Sequence, residues 1–207
     1  MEDPHKINVY IDGFNFYYGL KTSHWKKFYW LDIVGFYEFF AKENQIINQV
    51  NYFSAKSRNK DQYKRQKCFF DANKDNEKFN LILGKYIEKD LFIKGQRYKT
   101  YEEKMTDVNI AIHLLRNIFY KNCDTSIIVT ADSDIVPVLK LAKEIDPTHK
   151  IICHFPPSRN SNAIKKAADT VIQLDRYEKR FAKCILPSTI TLKDSRVIEI
   201  PDLWIVK

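Results

Sequence analysis

Ile7-Asn8-Val9-Tyr10-Ile11-Asp12-Gly13-Phe14-Asn15 decides how the rest of the chain is read. The first five residues are mostly apolar and rich in β-branched side chains, which marks a short strand buried in a parallel sheet. Asp12-Gly13 ends it, and Asn15 is placed to cap the helix that follows. A parallel strand that closes on an acid leaves that acid on the edge of the sheet where α/β proteins bind their ligands.

Working outward, the same alternation of strand and helix recurs. Asn48 to Ala55 and Phe79 to Lys85 read as strands, with a basic helical stretch from Arg58 to Asn76 between them. Tyr86 to Tyr101 alternates as an antiparallel excursion that turns at Lys94-Gly95. Met105 to Lys121 carries Val108, Ala111, Ile112, Leu115, Ile118 and Phe119 at helical spacing. Ser126 to Thr130, Lys150 to Phe155 and Thr170 to Gln173 supply further strands, separated by helices over Asp134 to Glu144 and Asn162 to Ala167. This order implies an α/β domain whose mainly parallel sheet is covered on both faces. The domain is expected over residues 1–176, and residues 177–207 read as a small C-terminal appendage of a helix and a hairpin. The rings of Phe16, Tyr17, Tyr18, Trp25, Phe28, Tyr29 and Trp30, and those of a helix over Ile33 to Lys42, are read as filling a core rather than stacking on bases.

Composition narrows the classes. The 207 residues are 44% hydrophobic, ample for a core, and no apolar run approaches the roughly 18 residues of a membrane span. The amino terminus runs directly into a strand, so neither a signal peptide nor a membrane association is expected, and the protein is placed in the cytoplasm. Cys68, Cys123, Cys153 and Cys184 form no Cys-x-x-Cys pair, which gives no support to a zinc site or a disulfide framework. The net charge of +8 is concentrated: Lys56 to Lys99 holds 13 Lys and Arg against 6 Asp and Glu. Such a surplus suits either a polyanion track or a solvated Lys-rich helix.

Four acids lie where strands end or helices begin on one edge: Asp12, Asp107, Asp132 and Asp134. Each alone has a local explanation, as a turn residue or a helix cap. Together they repel one another unless a cation or protons intervene. Their hard oxygens suit Mg²⁺ or Mn²⁺, and such a site hydrolyses phosphate esters with metal-activated water.

Ile11-Asp12-Gly13-Phe14-Asn15, Glu103-Lys104-x-x-Asp107-Val108, Val129-Thr130-Ala131-Asp132-Ser133-Asp134 and Ser161 to Ala168-Asp169 together resemble the NYN domain of the PIN-like nuclease superfamily, in its LabA-like group. The resemblance implies a Rossmann-like three-layer α/β/α fold and metal-dependent cleavage of RNA. Carried over, Asp12, Asp107, Asp132 and Asp134 are its metal-binding acids, Asn15 orients the scissile phosphate or a metal-bound water, and Lys104 contacts phosphate. Ser161 and Asp169 are further candidates on the rim. His113 stands where many relatives carry another acid, and its spacing from Asp107 makes it a packed or surface histidine rather than a ligand.

The expectation is therefore an endoribonuclease acting on single-stranded RNA. Lys64, Arg65 and Lys67 would track its backbone while Tyr63 or a nearby ring stacks a base. A catalytically weak or silent module that binds RNA or a protein partner is the rival from another class, and a nuclease of DNA is a third reading. By analogy with related folds, a homodimer is expected. Other chemistries lack their motifs: Phe14 interrupts an Asp-x-Asp phosphatase signature, and neither a P-loop nor a dinucleotide Gly-x-Gly-x-x-Gly is present. Ser133 lacks a nucleophile elbow.

Overall fold

The computed structural model describes residues 3–205. β1 (His5–Asp12) lies near the middle of a seven-stranded sheet and is flanked by β2 (Gln45–Ala55) and β5 (Thr125–Val129), both parallel to it. β3 (Phe79–Ile93) extends the sheet beyond β2, and β4 (Gln96–Lys104) returns antiparallel along β3 as a two-stranded ribbon. Beyond β5 lie β6 (Lys150–Phe155) and β7 (Thr170–Gln173), also parallel. The order is β4-β3-β2-β1-β5-β6-β7. From β1 the chain first winds outward through β2 and β3, then crosses to β5 and winds the other way. The crevice between the ends of β1 and β5 is thus the topological switch point, where such sheets bind ligands.

Side-chain alternation along β1 explains the three layers. Ile7, Val9 and Ile11 face one apolar cluster, while Tyr10 faces the other. The first cluster is built with α1 (Gly13–Thr22), α2 (Ile33–Glu38) and α3 (Lys60–Lys74), through Phe16, Phe36 and Phe69 among others. The second uses Ile110 and Leu114 of α4 (Thr106–Phe119), Leu139 of α5 (Val136–Ile145) and Ile164 of α6 (Asn162–Ala167). Most of the rings expected to fill a core do so, with Phe28, Trp30, Phe36 and Tyr37 almost fully buried. Cys123, Cys153 and Cys184 are buried, Cys68 is half-buried, and all four are free thiols.

Several boundaries differ from the sequence reading for identifiable reasons. The cap of α1 is Asp12, not Asn15: the Asn15 N–H donates to Asp12 Oδ1 at 3.0 Å. The excursion after Lys85 continues β3 without a break, turning at Lys94 and Gly95, both with positive φ, before β4. The helix expected from Asp134 starts at Val136, because Ser133–Ile135 forms a 3-10 turn capped by Asp132. Residues after Arg176 pack into the first cluster. Phe181 of α7 (Glu178–Lys183) is fully buried, Leu186 N–H bonds the Trp30 carbonyl, and the small hairpin of β8 (Thr189–Thr191) and β9 (Val197–Glu199) buries Ile198 within β9 and Leu192 just after β8. No described helix is long and apolar enough to cross a membrane.

Candidate active site

Asp12 sits at the C-terminal end of β1, level with Phe53 of β2 and one residue beyond the Ile11–Val129 pair. Gly13 lets α1 begin there at all. A Cβ on it would lie 2.6 Å from the Phe53 carbonyl oxygen and 2.5 Å from the Tyr52 ring. The Asp12 carboxylate is only 7% exposed and is held on both sides: Oδ1 accepts the Asn15 N–H, and Oδ2 accepts the Thr130 hydroxyl at 3.1 Å. The same Thr130 oxygen accepts the Asp132 N–H at 3.1 Å, and Asn15 Oδ1 accepts the Ala131 N–H at 3.1 Å. Asn15 and Thr130 therefore lock the end of β1 to the segment that leaves β5.

On the other side, β4 delivers Glu103 and, through Met105 in the left-handed region (φ 84°), α4 delivers Asp107 in its first turn. Gly84 makes the approach possible. A Cβ there would be 2.5 Å from the Lys104 carbonyl oxygen and 2.6 Å from Glu103 Oε1. Thr106 then donates its hydroxyl to Glu103 Oε1 at 2.5 Å.

Asp12, Asn15, Glu103, Thr106, Asp107, Asp132 and Arg159 line one open pocket of about 230 Å³, with Phe14 and Tyr18 at its side. Burial is the main reason the Asp12 carboxyl is pushed up to about 6. The hydrogen bonds from Asn15 and Thr130 oppose this, and the charges of Asp107 and Asp132 add to it. The Asp107 carboxyl is also raised, first by burial and then by Asp132, Glu103 and Asp134. The acids therefore share one electrostatic field. Asp134 belongs to that field but not to the pocket wall, and its N–H donates to Asp132 Oδ1 at 3.1 Å.

Sequence reasoning overlooked two residues of the wall. Glu103 stood inside the quoted motif, but its neighbour Lys104 took the functional role; in the structure Lys104 pairs with Glu102. Arg159 follows the Pro156-Pro157-Ser158 turn beyond β6, and its position just past a strand end was the available clue. Its Nε is buried without a hydrogen-bond partner among the described residues. Other expected residues lie elsewhere. Ser161 caps α6 by accepting the Ile164 N–H at 3.4 Å. Asp169 is on the opposite edge of the sheet, paired with Lys143 at 2.6 Å and accepting the N–H of Ile151 near the start of β6. His113 packs edge-on against Phe53, 5.5 Å between centroids, away from the pocket. Lys64 is exposed and 4.0 Å from Asp61, Lys67 pairs with Asp71, and the Tyr63 ring lies under Lys56. Arg65 borders a separate cavity.

The model of the family described as NYN domain matches residues 6–175, from β1 through β7. The chain belongs to the NYN domain family. NYN domains are nuclease-type domains of the PIN-like superfamily, and the three-layer α/β/α architecture found here is theirs. Among curated proteins, the chain is 26% identical over 180 residues to the 6-hydroxy-3-succinoylpyridine 3-monooxygenase HspA of Pseudomonas putida. That match takes in 68% of this chain and 56% of HspA, so the chain spans about half the length of that relative. Among solved structures, a protein of unknown function from Vibrio parahaemolyticus superposes with a TM-score of 0.58 at 18% identity. The superposition covers 84% of this chain and 96% of that one, and it shows a shared fold.

NYN and related nucleases typically use divalent metals, so the fit of this pocket to an ion is a physical question. Its donors are all hard oxygens, and Asp12 and Asp107 hold their charge reluctantly, as acids awaiting a cation do. Among the described residues, however, no three Asp, Glu, His or Cys side chains close on a common point. Both Asp12 oxygens are engaged locally. This donor set fits an ion that keeps most of its water and takes one or two carboxylates directly, which is the habit of Mg²⁺, and does not fit an all-protein cage.

Proposed function

We propose that this NYN domain, of the LabA-like group, is a metal-dependent endoribonuclease acting inside the cell on single-stranded RNA. The observation that carries the reading is the convergence of Asp12, Asp107, Asp132 and the unanticipated Glu103 on one pocket at the switch point, with Arg159 in the same wall. Mg²⁺ or Mn²⁺ held there would supply Lewis-acid stabilisation and a water of lowered pKa. Asp107, whose carboxylate has no hydrogen-bond partner among the described residues, and Asp132, through the oxygen not taken by the Asp134 N–H, would hold the ion directly. Asp12 and Glu103 would engage its waters and accept protons from them. Asn15 keeps the Asp12 carboxylate and the Ala131 N–H in register, and its side-chain amide N–H groups, without a partner among the described residues, would orient a phosphate oxygen. The Arg159 guanidinium in the same wall would neutralise that phosphate, a task suited to its planar fork of donors.

The test is cleavage of a labelled single-stranded RNA with Mg²⁺ or Mn²⁺ by wild type, Asp107→Asn and Asp132→Asn. Loss in both variants with an unchanged melting temperature supports the reading. Retained cleavage in either removes that residue from the site, and no cleavage by wild type removes the reading. One observation favours a second reading, a catalytically weak module that binds RNA or a protein partner: the carboxylates do not close on a single point. Under that reading RNA binds in EDTA as tightly as with metal, and Asp132→Asn changes nothing.

A further inference from the structure

A second cavity, of about 180 Å³, adjoins the acid pocket, and Phe14 and Tyr18 line both. Its walls are rings brought together from distant parts of the chain: Tyr17 on α1, Tyr29, Tyr52 on β2, Phe69 on α3, and Trp204 near the described C-terminal end. The rings brace one another around the space. Tyr17 and Tyr29 are 5.1 Å apart between centroids, Tyr29 and Trp204 5.8 Å, and Tyr52 and Phe69 5.6 Å. A concave site with aromatic walls and a few convergent polar groups suits a flat, π-rich ligand.

The polar groups come from the start of α3 and the loop before it. Gln66 is fully used: Oε1 accepts the Ser57 N–H at 2.9 Å, and Nε2 donates to the Ala55 carbonyl at 3.0 Å. It fastens the loop. Ser57 in turn donates its hydroxyl to Gln62 Oε1 at 3.0 Å, which fixes that amide and leaves its Nε2 N–H groups without a partner among the described residues. Arg65 forms no ion pair and no side-chain hydrogen bond among them either, although Lys67 two residues on is paired with Asp71. Two sets of unspent donors therefore border an aromatic chamber.

We infer that this chamber is a nucleobase subsite, taking one unstacked base of a single-stranded RNA whose adjoining phosphate lies in the acid pocket. The inference rests on the nuclease reading of that pocket for the position of the phosphate. A base is joined to its phosphate through a single sugar, so two chambers that share Phe14 and Tyr18 as a wall suit the two ends of one nucleotide. Tyr17, Tyr29 and Trp204 offer stacking faces, and Gln62 and Arg65 donate to the carbonyl and ring-nitrogen acceptors that every base carries on its edge. The phosphate side of the partition is acidic and depends on metal. The base side carries no acid among its lining residues, only the cations Arg65 and Lys21, and needs no metal.

The experiment separates the two sides. Affinity is measured in EDTA, where no cleavage competes, for a mixed-sequence single-stranded RNA pentamer and for a pentamer of the same length with abasic sugars throughout. Wild type is expected to bind the base-bearing pentamer about tenfold more tightly, the scale of one stacked base. Gln62→Trp, which places bulk at the exposed rim, is expected to erase that difference while leaving the abasic pentamer unaffected, and Arg65→Ala to reduce it in part. Lys64→Ala, on the same helix but outside the chamber, should affect both pentamers alike. Equal affinity of wild type for the two pentamers overturns the subsite, as does equal weakening of both by Gln62→Trp in a protein whose melting temperature is unchanged. A subsite that fails while cleavage still depends on Asp107 leaves the nuclease reading standing. Base-dependent binding without cleavage leaves the subsite standing and removes the nuclease.

Discussion

Two chambers separated by Phe14 and Tyr18 are built on opposite principles. The acid pocket is assembled from chain that has just left β1, β4 and β5, and its polar atoms are fixed by short-range bonds such as Asn15 N–H to Asp12 and Thr106 hydroxyl to Glu103. The aromatic chamber draws on α1, β2, α3 and Trp204; its rings brace one another by packing, and its hydrogen bonds are confined mainly to the polar rim of Ser57, Gln62 and Gln66. One is a site of stored repulsion, and the other a site of exposed but braced apolar surface. Damage to the first should therefore cost activity while sparing the fold, whereas damage to deep rings of the second should cost both.

The largest effect is expected at the unencumbered acids. Asp107→Asn and Asp132→Asn should each lower cleavage at least about 100-fold, with little change in melting temperature, because both side chains line an open pocket and neither is bonded into the core. Comparable losses of stability and activity would erase the contrast. Gly84→Ala should follow, since its Cβ has backbone on one side and the Glu103 carboxylate on the other. A loss of about 2–3 kcal/mol by denaturant unfolding is expected, together with reduced cleavage, while base-dependent RNA binding in EDTA survives.

Asp12→Asn sharpens the comparison because its two consequences have opposite signs. At pH 7 without metal the wild-type fold carries a buried charge whose pKa is pushed up to about 6, so the amide should stabilise the fold by about 1–2 kcal/mol while abolishing cleavage. The raised pKa means that the wild-type carboxyl contributes stability that is fully present below about pH 4 and is lost as pH rises through 6. His154 runs the other way. Buried against Tyr37 and Phe40 with both ring nitrogens unpartnered among the described residues, it is pushed down to about 3 by burial. Its contribution is present above pH 6.5 and is lost as pH falls towards 3. Unfolding of Asp12→Asn between pH 7 and 4 should thus show a steeper acid loss than wild type, and adding His154→Phe should flatten it. The smallest effect belongs to Lys67→Ala: its pair with Asp71 is at the surface, so less than about 0.5 kcal/mol and no change in RNA affinity are expected.

The same contrast explains what the sequence made legible. Strands of contiguous apolar residues, the Lys94-Gly95 turn and acids placed next to strand ends are local patterns, and they led to the sheet and to Asp12, Asp107 and Asp132. Glu103 was hidden because it lies in a charged ribbon with two acids side by side, Tyr101-Glu102-Glu103-Lys104, where only the hairpin register opposite Tyr86 and the gap at Gly84 show which charge faces the pocket. Arg159 was hidden because a turn after a strand does not announce where its side chain lies. The aromatic chamber was out of reach: Tyr17, Tyr52 and Trp204 have no spacing in common, and rings that wall a cavity have the same composition as rings that fill a core. Closure of the C-terminal segment over Trp30 and Tyr29 is likewise a tertiary fact, made by Leu186, Pro187 and Trp204.

The most direct measurement is cleavage of a 5′-labelled single-stranded RNA in Mn²⁺ by wild type and by the doubly substituted Asp107→Asn, Asp132→Asn protein, at matched fold stability. The wild type is predicted to cut and the double variant to be silent while still binding the RNA in EDTA. Equal cutting by both proteins, or none by wild type, would contradict a catalytic role for the acids at the switch point.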